Sequence, residues 1–329
     1  MRSEDLTTLF HQFNQLQVMV IGDVMIDSYI WGNVDRISPE APVPILRTRK
    51  KEKRPGGAAN VALNIQALGA TPIICSVIGD DPEGHYFIKL LQDKGIPDSG
   101  IITSQNRITT VKERYMSGSQ HLIRVDTEED TEINQTEQEL LIQKIKELLP
   151  QCQVIVFQDY DKGVLTQNVI SETISMALNI GIPTVVDPKK RNFLTYRNAT
   201  LFKPNLKEIK EGLKVDFDVN DPTQLSNTVN LLMQSLGTFC VLLTLSEKGV
   251  YIDNGDEQHL LPAHLRTISD VSGAGDTVIS IAALCMATGV PIKLLAELSN
   301  LGGGLVCEHV GVVPVDKQKL FEEASKHLT

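Results

Sequence analysis

Asp270-Val271-Ser272-Gly273-Ala274-Gly275-Asp276-Thr277, followed at once by the apolar run Val278-Ile279-Ser280-Ile281-Ala282-Ala283-Leu284, decides how this chain is read. It is a glycine-rich turn opening a helix. Two glycines let backbone N–H groups converge on one point, and the start of a helix adds partial positive charge there. The segment therefore suits an anion, of which a phosphate is the obvious candidate. Asp276 conflicts with this, because a carboxylate beside an anion site repels what the site attracts unless it is there to take a proton. The combination points to phosphoryl transfer.

Around this turn, 329 residues with 42% hydrophobic content can build a substantial core in one large domain or two modest ones, as in an ordinary soluble enzyme. A net charge of −10 argues against general nucleic-acid binding, which needs a basic face. Cys75, Cys152, Cys240, Cys285 and Cys307 form no CxxC or other close pair and read as buried small hydrophobes in a reducing compartment. Met1-Arg2-Ser3-Glu4-Asp5-Leu6 lacks a basic segment followed by an apolar core, and no apolar run approaches membrane-spanning length. The expectation is cytoplasmic residence without a membrane partner. No repeat, low-complexity tract or long linker divides the chain.

In chain order, residues 6–16 read as a short amphipathic helix and Val18 to Ile21 as a buried strand delivering Gly22-Asp23, with Asp27 close behind. Residues 28–54 and 107–126 break the strand-and-helix rhythm. The first contains Trp31, three prolines in Ser38 to Pro44 and the basic run Arg47 to Lys51; the second is a hairpin turning at Ser117-Gly118-Ser119. Together they suggest a small β lid. Between them Pro55-Gly56-Gly57-Ala58-Ala59-Asn60 enters a helix carrying Val61, Ile65 and Leu68. The paired glycine either admits a ligand close to the backbone or forms a tight turn with a capping Asn. Strands follow at 73–78, 154–157, 184–186, 201–203 and 240–244, with helices at 135–148, 167–180, 222–236, 292–309 and 316–327. Polar clusters recur at successive strand ends: Gln158-Asp159-Tyr160-Asp161-Lys162-Gly163, Asp187-Pro188-Lys189 and Pro204-Asn205-Leu206-Lys207-Glu208. In an open α/β sheet that is where ligands gather. Gly302-Gly303-Gly304 inside a helix allow close packing of either another helix or a flat ligand ring.

Gly56-Gly57-Ala58-Ala59-Asn60 and Asp270 to Asp276 resemble the two signatures of the ribokinase-like (PfkB) carbohydrate kinases, in the order and separation that family shows. The segment from Asn205 to Glu208 resembles its magnesium-associated Asn-x-x-Glu, and Thr244 to Gly249 its nucleotide-binding loop. The resemblance runs from about residue 18 to 315. It implies a single three-layer α/β/α sandwich of ribokinase type, with a mostly parallel central sheet and the small β lid. It also implies ATP and Mg²⁺ as cofactors. Asp276 would be the general base, Gly273, Ala274 and Gly275 the anion hole, Asn205 and Glu208 the magnesium side, reached through water, and Asn205, Thr244, Ser246, Gly249 and Asn300 the border of ATP. Asp27, Gly56, Gly57 and Asn60 would hold sugar hydroxyls. Arg124 and Lys162 are candidates for the substrate side and Lys189 for a phosphate already on it, each against the alternative of plain surface charge.

Gly22 to Asp27, the string Arg36-Ile37-Ser38-Pro39-Glu40-Ala41-Pro42-Val43-Pro44, Arg54 to Ala62, and Asp159-Tyr160 with Lys162-Gly163 resemble the branch that phosphorylates heptose 7-phosphate at the anomeric hydroxyl. This would serve the synthesis of ADP-heptose for lipopolysaccharide. Ser272 replaces a more usual Thr, Gln158 an expected Ser, and the glycines at 302–304 an alanine-rich run. Other sugar or sugar-phosphate kinases of the family remain the alternative enzyme, and a catalytically silent sugar-binding regulator the alternative class. The chain ends too soon for a fused nucleotidyltransferase domain, so adenylylation is expected to need a separate protein. The lid strands offer edges that pair into a homodimer.

Overall fold

A computed structural model of the chain describes residues 3–118, 120–264 and 266–328. Met1, Arg2 and Ser119, the last expected at the hairpin tip, lie outside the described residues. The strands are β1 Gln17–Gly22, β2 Val24–Ile37, β3 Pro44–Gly57, β4 Thr71–Gly79, β5 Gly100–Ser104, β6 Val111–Ser117, β7 Gln120–Thr127, β8 Val154–Gln158, β9 Thr184–Asp187, β10 Leu201–Phe202, β11 Cys240–Thr244, β12 Val250–Asp253 and β13 Gln258–Leu261. The helices are α1 Ser3–Phe13, α2 Ala58–Ala67, α3 Pro82–Asp93, α4 Gln135–Leu148, α5 Gln167–Ile180, α6 Leu206–Leu213, α7 Pro222–Leu236, α8 Ala274–Thr288, α9 Ile292–Val306 and α10 Lys317–His327.

Nine strands form one sheet in the order β13-β12-β11-β10-β9-β8-β1-β4-β5. Its pairings are parallel from β5 to β11 and antiparallel only at β11–β12 and β12–β13. A parallel sheet needs cover on both faces, and β1 shows how the sequence supplies it. Val18 and Val20 point into one core with Ile65, Ile279 and Leu298; Met19 and Ile21 point into the other with Leu141, Ile170 and Val229. Helices α1, α2, α8, α9 and α10 cover the first face and α4, α5 and α7 the second, giving three layers. A capping box at Asn134/Glu137 starts α4, and Gly181, in the left-handed region at φ 72°, ends α5.

The two irregular stretches form a separate four-stranded sheet, order β3-β2-β6-β7. Its strands extend past the expected bounds, because β2 starts at Val24 and β3 runs to Gly57, pairing Val24 with Gly57 and Asp27 with Arg54. The paired glycines are thus strand residues that hand over to α2. Helix α1 ends at Phe13 rather than residue 16: Leu6, Leu9, Phe10 and Phe13 complete the apolar stripe, and Leu16 packs after a turn at Asn14 and Gln15. Helix α9 stops at Val306, three residues earlier than expected. The unassigned stretch between Gly79 and Asn106 contains α3, started by Asp81 accepting from Gly84 N, and β5.

Gly302 and Gly303 settle in favour of a neighbouring helix, while Gly304 faces Arg266. A Cβ at Gly302 would lie 2.1 Å from Ile281 Cδ1 and one at Gly303 2.7 Å from Val278 Cγ2, both on α8. All five cysteines are buried and unpaired. No helix among the described residues is long and apolar enough to cross a membrane.

Candidate active site

The glycine-rich turn is closed by its own first residue: Asp270 accepts from Ser272 N and, across the chain, from Gly311 N, each at 2.9 Å. Gly273 caps α8 in the left-handed region at φ 82° and offers no side chain to the first amides of that helix. Ala274 N turns back to Val271 O at 3.3 Å, so the start of α8 offers an anion the next amides, those of Gly275 and Asp276. Gly275 faces two charged side chains, since a Cβ there would meet Asp187 Oδ2 at 3.8 Å and Lys203 Nζ at 3.9 Å.

Asp276 is buried in the first turn of α8. Asn60 Nδ2 donates to its Oδ2 at 2.6 Å; the Tyr160 hydroxyl at 2.8 Å and Gln158 Nε2 at 3.3 Å donate to its Oδ1. Burial pushes its pKa up to about 6, against the pull of the Asn60 and Tyr160 donors. Such a carboxyl is ionised at neutral pH yet basic enough to accept a proton. Asn60 stands on the first turn of α2, whose Asn64 accepts from the Thr277 hydroxyl at 2.9 Å, so α2 and α8 are tied beside the site.

Sequence reasoning missed the strand-end residues around this centre. Asp187 ends β9 and forms an ion pair with Lys203 at 3.1 Å, and Gln158 Nε2, at 3.3 Å from its Oδ2, spans Asp187 and Asp276. Gln158 Oε1 is buried with no hydrogen-bond partner. The signal for these residues was the recurrence of polar groups after apolar strands; the distances between them exist only in the folded sheet. Lys189, expected near a substrate phosphate, lies between Glu208 at 2.8 Å and Asp187 at 3.7 Å. Burial works against its charge, but those two carboxylates hold its pKa well above the ordinary lysine value.

Of the residues expected to border ATP, Asn205, Thr244 and Ser246 line one open cleft of about 890 Å³ with Lys207, Lys210 and Glu211. Asn205 and Thr244 are bridged by backbone pairing. Gly249, at φ 91°, has a structural reason for being glycine, because a Cβ would lie 2.0 Å from Leu261 O. Asn300 stands apart from that lining on α9 and donates to Pro262 O at 2.8 Å. Asn205 and Glu208 form a reciprocal capping box at the start of α6, and Glu208 also holds Lys189. Among the described residues no group of three His, Cys, Asp or Glu side chains could hold a metal ion.

The four-stranded sheet supplies the facing side. Asp27 Oδ1 accepts from Arg114 Nη1 at 2.5 Å, and its Oδ2 fills the space over Gly56, where a Cβ would lie 2.1 Å away. Gly57, at φ 61°, makes room for the Asp23 carbonyl. The close approach these glycines permit is thus to their own chain. Arg54 and Arg114 both lie against the Tyr29 ring, which stacks on Trp31. Arg124 is paired across the strands with Arg114, hence on the same face, and binds Asp126 at 2.9 Å. Lys162 binds Glu128 at 2.9 Å. Arg114 was missed, although Lys112 and Arg114 two apart on a strand must share a face.

Residues 15–318 match the pfkB family carbohydrate kinase. Curated relatives include the bifunctional protein HldE of Desulfatibacillum aliphaticivorans, 36% identical over 94% of this chain and 63% of the relative. The bifunctional protein HldE of Koribacter versatilis is 38% identical over 96% and 64%. The chain thus spans under two thirds of these relatives' length. Among solved structures, phosphofructokinase-2 from Escherichia coli in complex with fructose-6-phosphate superposes with a TM-score of 0.75 at 18% identity, covering 94% of this chain and 99% of that one. Arabidopsis thaliana ribokinase complexed with ribose and ATP gives 0.71 at 16%, covering 93% and 99%. At such identities the likeness is one of fold.

Proposed function

The chain belongs to the pfkB family of carbohydrate kinases, ATP-dependent sugar kinases, and from that premise we propose that it phosphorylates the anomeric C1 hydroxyl of D-glycero-D-manno-heptose 7-phosphate, giving the 1,7-bisphosphate. The observation that carries the reaction is the buried Asp276 beside the uncapped start of α8. The sugar rests on similarity to the HldE proteins along nearly the whole chain.

In this reading the C1 oxygen attacks the γ-phosphorus, the bond from that phosphorus to the bridging oxygen breaks, ADP leaves, and the hydroxyl proton passes to Asp276. Gly273, Ala274 and Gly275 line the anion hole, the Gly275 amide donating toward the charge on the transferred group, with Lys203 close by. Asn205 and Glu208 would hold a magnesium ion through water, and that ion would supply charge neutralisation on the phosphates. Thr244, Ser246 and Gly249 border the nucleotide in the cleft, with Asn300 at its edge. Asp27, Gly56, Gly57 and Asn60 bound the sugar; the four-stranded sheet acts as the lid and brings Arg124 to the substrate side, and the loop after β8 brings Lys162 there. Lys189 steadies Asp187 and Glu208 in place of receiving the sugar's phosphate. The protein works in the cytoplasm as a homodimer paired through the lid, where β7 exposes Ile123 and Val125; sedimentation as a monomer at working concentration would count against the dimer.

Incubation with ATP, magnesium and a sugar panel tests the substrate. Indifference to heptose 7-phosphate with turnover of fructose phosphate or ribose would defeat the sugar assignment. Asp276→Asn tests the chemistry: it should bind both ligands and lose turnover, and unchanged turnover would remove Asp276 as the base.

A further inference from the structure

The loop after β8 is more constrained than a connection requires. Asp23, buried at the end of β1, accepts three of its backbone amides: Tyr160 N at 2.9 Å and Lys162 N at 3.1 Å on Oδ2, and Val164 N at 3.0 Å on Oδ1. Arg107 Nη2 donates to Lys162 O at 2.7 Å. Asp159 accepts from Asp161 N at 2.8 Å and from the Tyr196 hydroxyl at 2.7 Å. Two residues sit in the left-handed region, Asp161 at φ 55° and Gly163 at φ 90°, and a Cβ on Gly163 would lie 1.8 Å from Thr131 O. Strain of this kind persists only where the surroundings over-determine it, and it collects at functional sites. The side chain this loop delivers is Tyr160, whose hydroxyl meets Asp276 Oδ1 at 2.8 Å while Asn60 holds Oδ2.

We infer that Tyr160 is a positioning residue for the proton-accepting carboxylate, fixing Asp276 Oδ1 through its hydroxyl, and that Asp23 acts on the reaction by holding the loop that aims Tyr160. This rests on the reading of Asp276 as base. The physical reason is that a hydrogen bond donated to the ionised carboxylate favours that form and opposes burial. Other charges face the pair: Asp187 raises the Asp276 pKa and Lys203 lowers it, Asp27 acts on Tyr160, and Lys189 lies 5.8 Å from the Tyr160 ring centre. None of them is altered by removing one hydroxyl.

Tyr160→Phe removes only that oxygen. The Asp276 carboxyl can be followed by carbon NMR in protein labelled at its aspartate carboxyls, with the signal identified by its loss in Asp276→Asn. It should titrate near 6 in the parent and about one unit higher in the variant, the size expected for a charged hydrogen bond. The acid limb of kcat for heptose 7-phosphate and ATP should move up by the same amount, with KM little changed. Asp23→Asn should shift the titration the same way in the parent and add nothing to Tyr160→Phe. A Tyr160→Phe titration that superimposes on the parent's overturns the inference, as does full additivity of the two shifts. Should Asp23→Asn not fold, Tyr160→Phe decides alone. Parent-like turnover of Asp276→Asn would instead sink the base itself, whatever Tyr160→Phe does.

Discussion

Gly275→Ala should separate activity from stability. A Cβ at Gly275 has room, its nearest neighbours being Asp187 Oδ2 at 3.8 Å and Lys203 Nζ at 3.9 Å, ordinary contact distances. The residue lies in the first turn of α8 and its φ is not in the left-handed region. Replacing glycine by alanine in a helix gains about 0.5–1 kcal/mol, so the variant should be as stable as the parent or slightly more so. Yet the added methyl stands in the space bounded by the α8 amides, Asp187 and Lys203, where the proposed mechanism puts the transferred phosphoryl group. Loss of one anion-hole donor typically costs about 10²–10³ in kcat, or about 3–4 kcal/mol of transition-state stabilisation, and displacing the phosphoryl group by a methyl radius should do no less. Gly273→Ala is the contrast, because at φ 82° and with Val312 Cγ1 and Asn60 Nδ2 at 3.2 and 3.3 Å it is strained as well as crowded. It should lose about 1 kcal/mol or more of stability. Urea denaturation and ADP-release kinetics on the same preparations measure both quantities. A Gly275→Ala enzyme within threefold of the parent in kcat would refute the placement of the phosphoryl group, and one destabilised as much as Gly273→Ala would refute the geometry.

Two further outcomes test the surroundings. Arg114→Met should destabilise by about 3 kcal/mol, because it leaves the Asp27 carboxylate buried without its partner; most of this should return with Asp27→Asn in the same chain, as read by urea midpoints, and a fully additive double variant would argue against the pairing. At the α8–α9 contact, Gly302→Ala should cost about 1–2 kcal/mol by overpacking against Ile281 and be relieved by Ile281→Val, which removes the clashing Cδ1. Gly303→Ala should cost more, since the atom it meets belongs to the stiffer Val278. Thermal melting of Gly302→Ala, the same chain with Ile281→Val, and Gly303→Ala ranks them, and a harmless Gly303→Ala would contradict the packing.

How much of this was legible in the sequence follows from what each feature depends on. Six strands of the large sheet, β1, β4, β8, β9, β10 and β11, were readable one by one, because a parallel strand buried on both faces is a short uninterrupted apolar run, as in Val18 to Ile21 and Val241 to Leu243. Asp276 and its turn were readable because their geometry is local: two glycines, a helix start and two carboxylates within eight residues. Stretches without a strong period were not. Helix α3 and strand β5 between Gly79 and Asn106 left no clear reading. The paired glycines at 56 and 57 suggested room for a ligand, whereas the room is taken by Asp27 and the Asp23 carbonyl, a fact of strand pairing that no single stretch contains. Tyr160 and Asp187 were visible as polar strand ends and Lys203 as the last residue of the strand at 201–203, but their convergence on Asp276 depends on the order in which β8, β9 and β10 lie side by side. Lys189 shows the limit most plainly, since its sequence context cannot say that Glu208, nineteen residues on, will claim it.

The same distinction bears on how the site divides its work. Asp276 is held by groups from α2 and from β8 and the loop after it, and Asp187 and Lys203 beside it come from the ends of β9 and β10, all anchored in one large sheet with a core on each face. Such a frame moves little, which is what positioning a phosphoryl group demands. The cations and aromatics facing it stand on a sheet only four strands wide, where β7 is exposed along nearly its whole length. On the reading proposed here, chemistry belongs to the large sheet and choice of sugar to the small one. Substitutions at Arg114 or Arg124 should therefore alter which sugar is taken and its KM, while those at Asp276 or Gly275 should abolish turnover of every sugar alike. An Arg124→Ala enzyme that lost turnover of all sugars equally, with unchanged KM, would break that division.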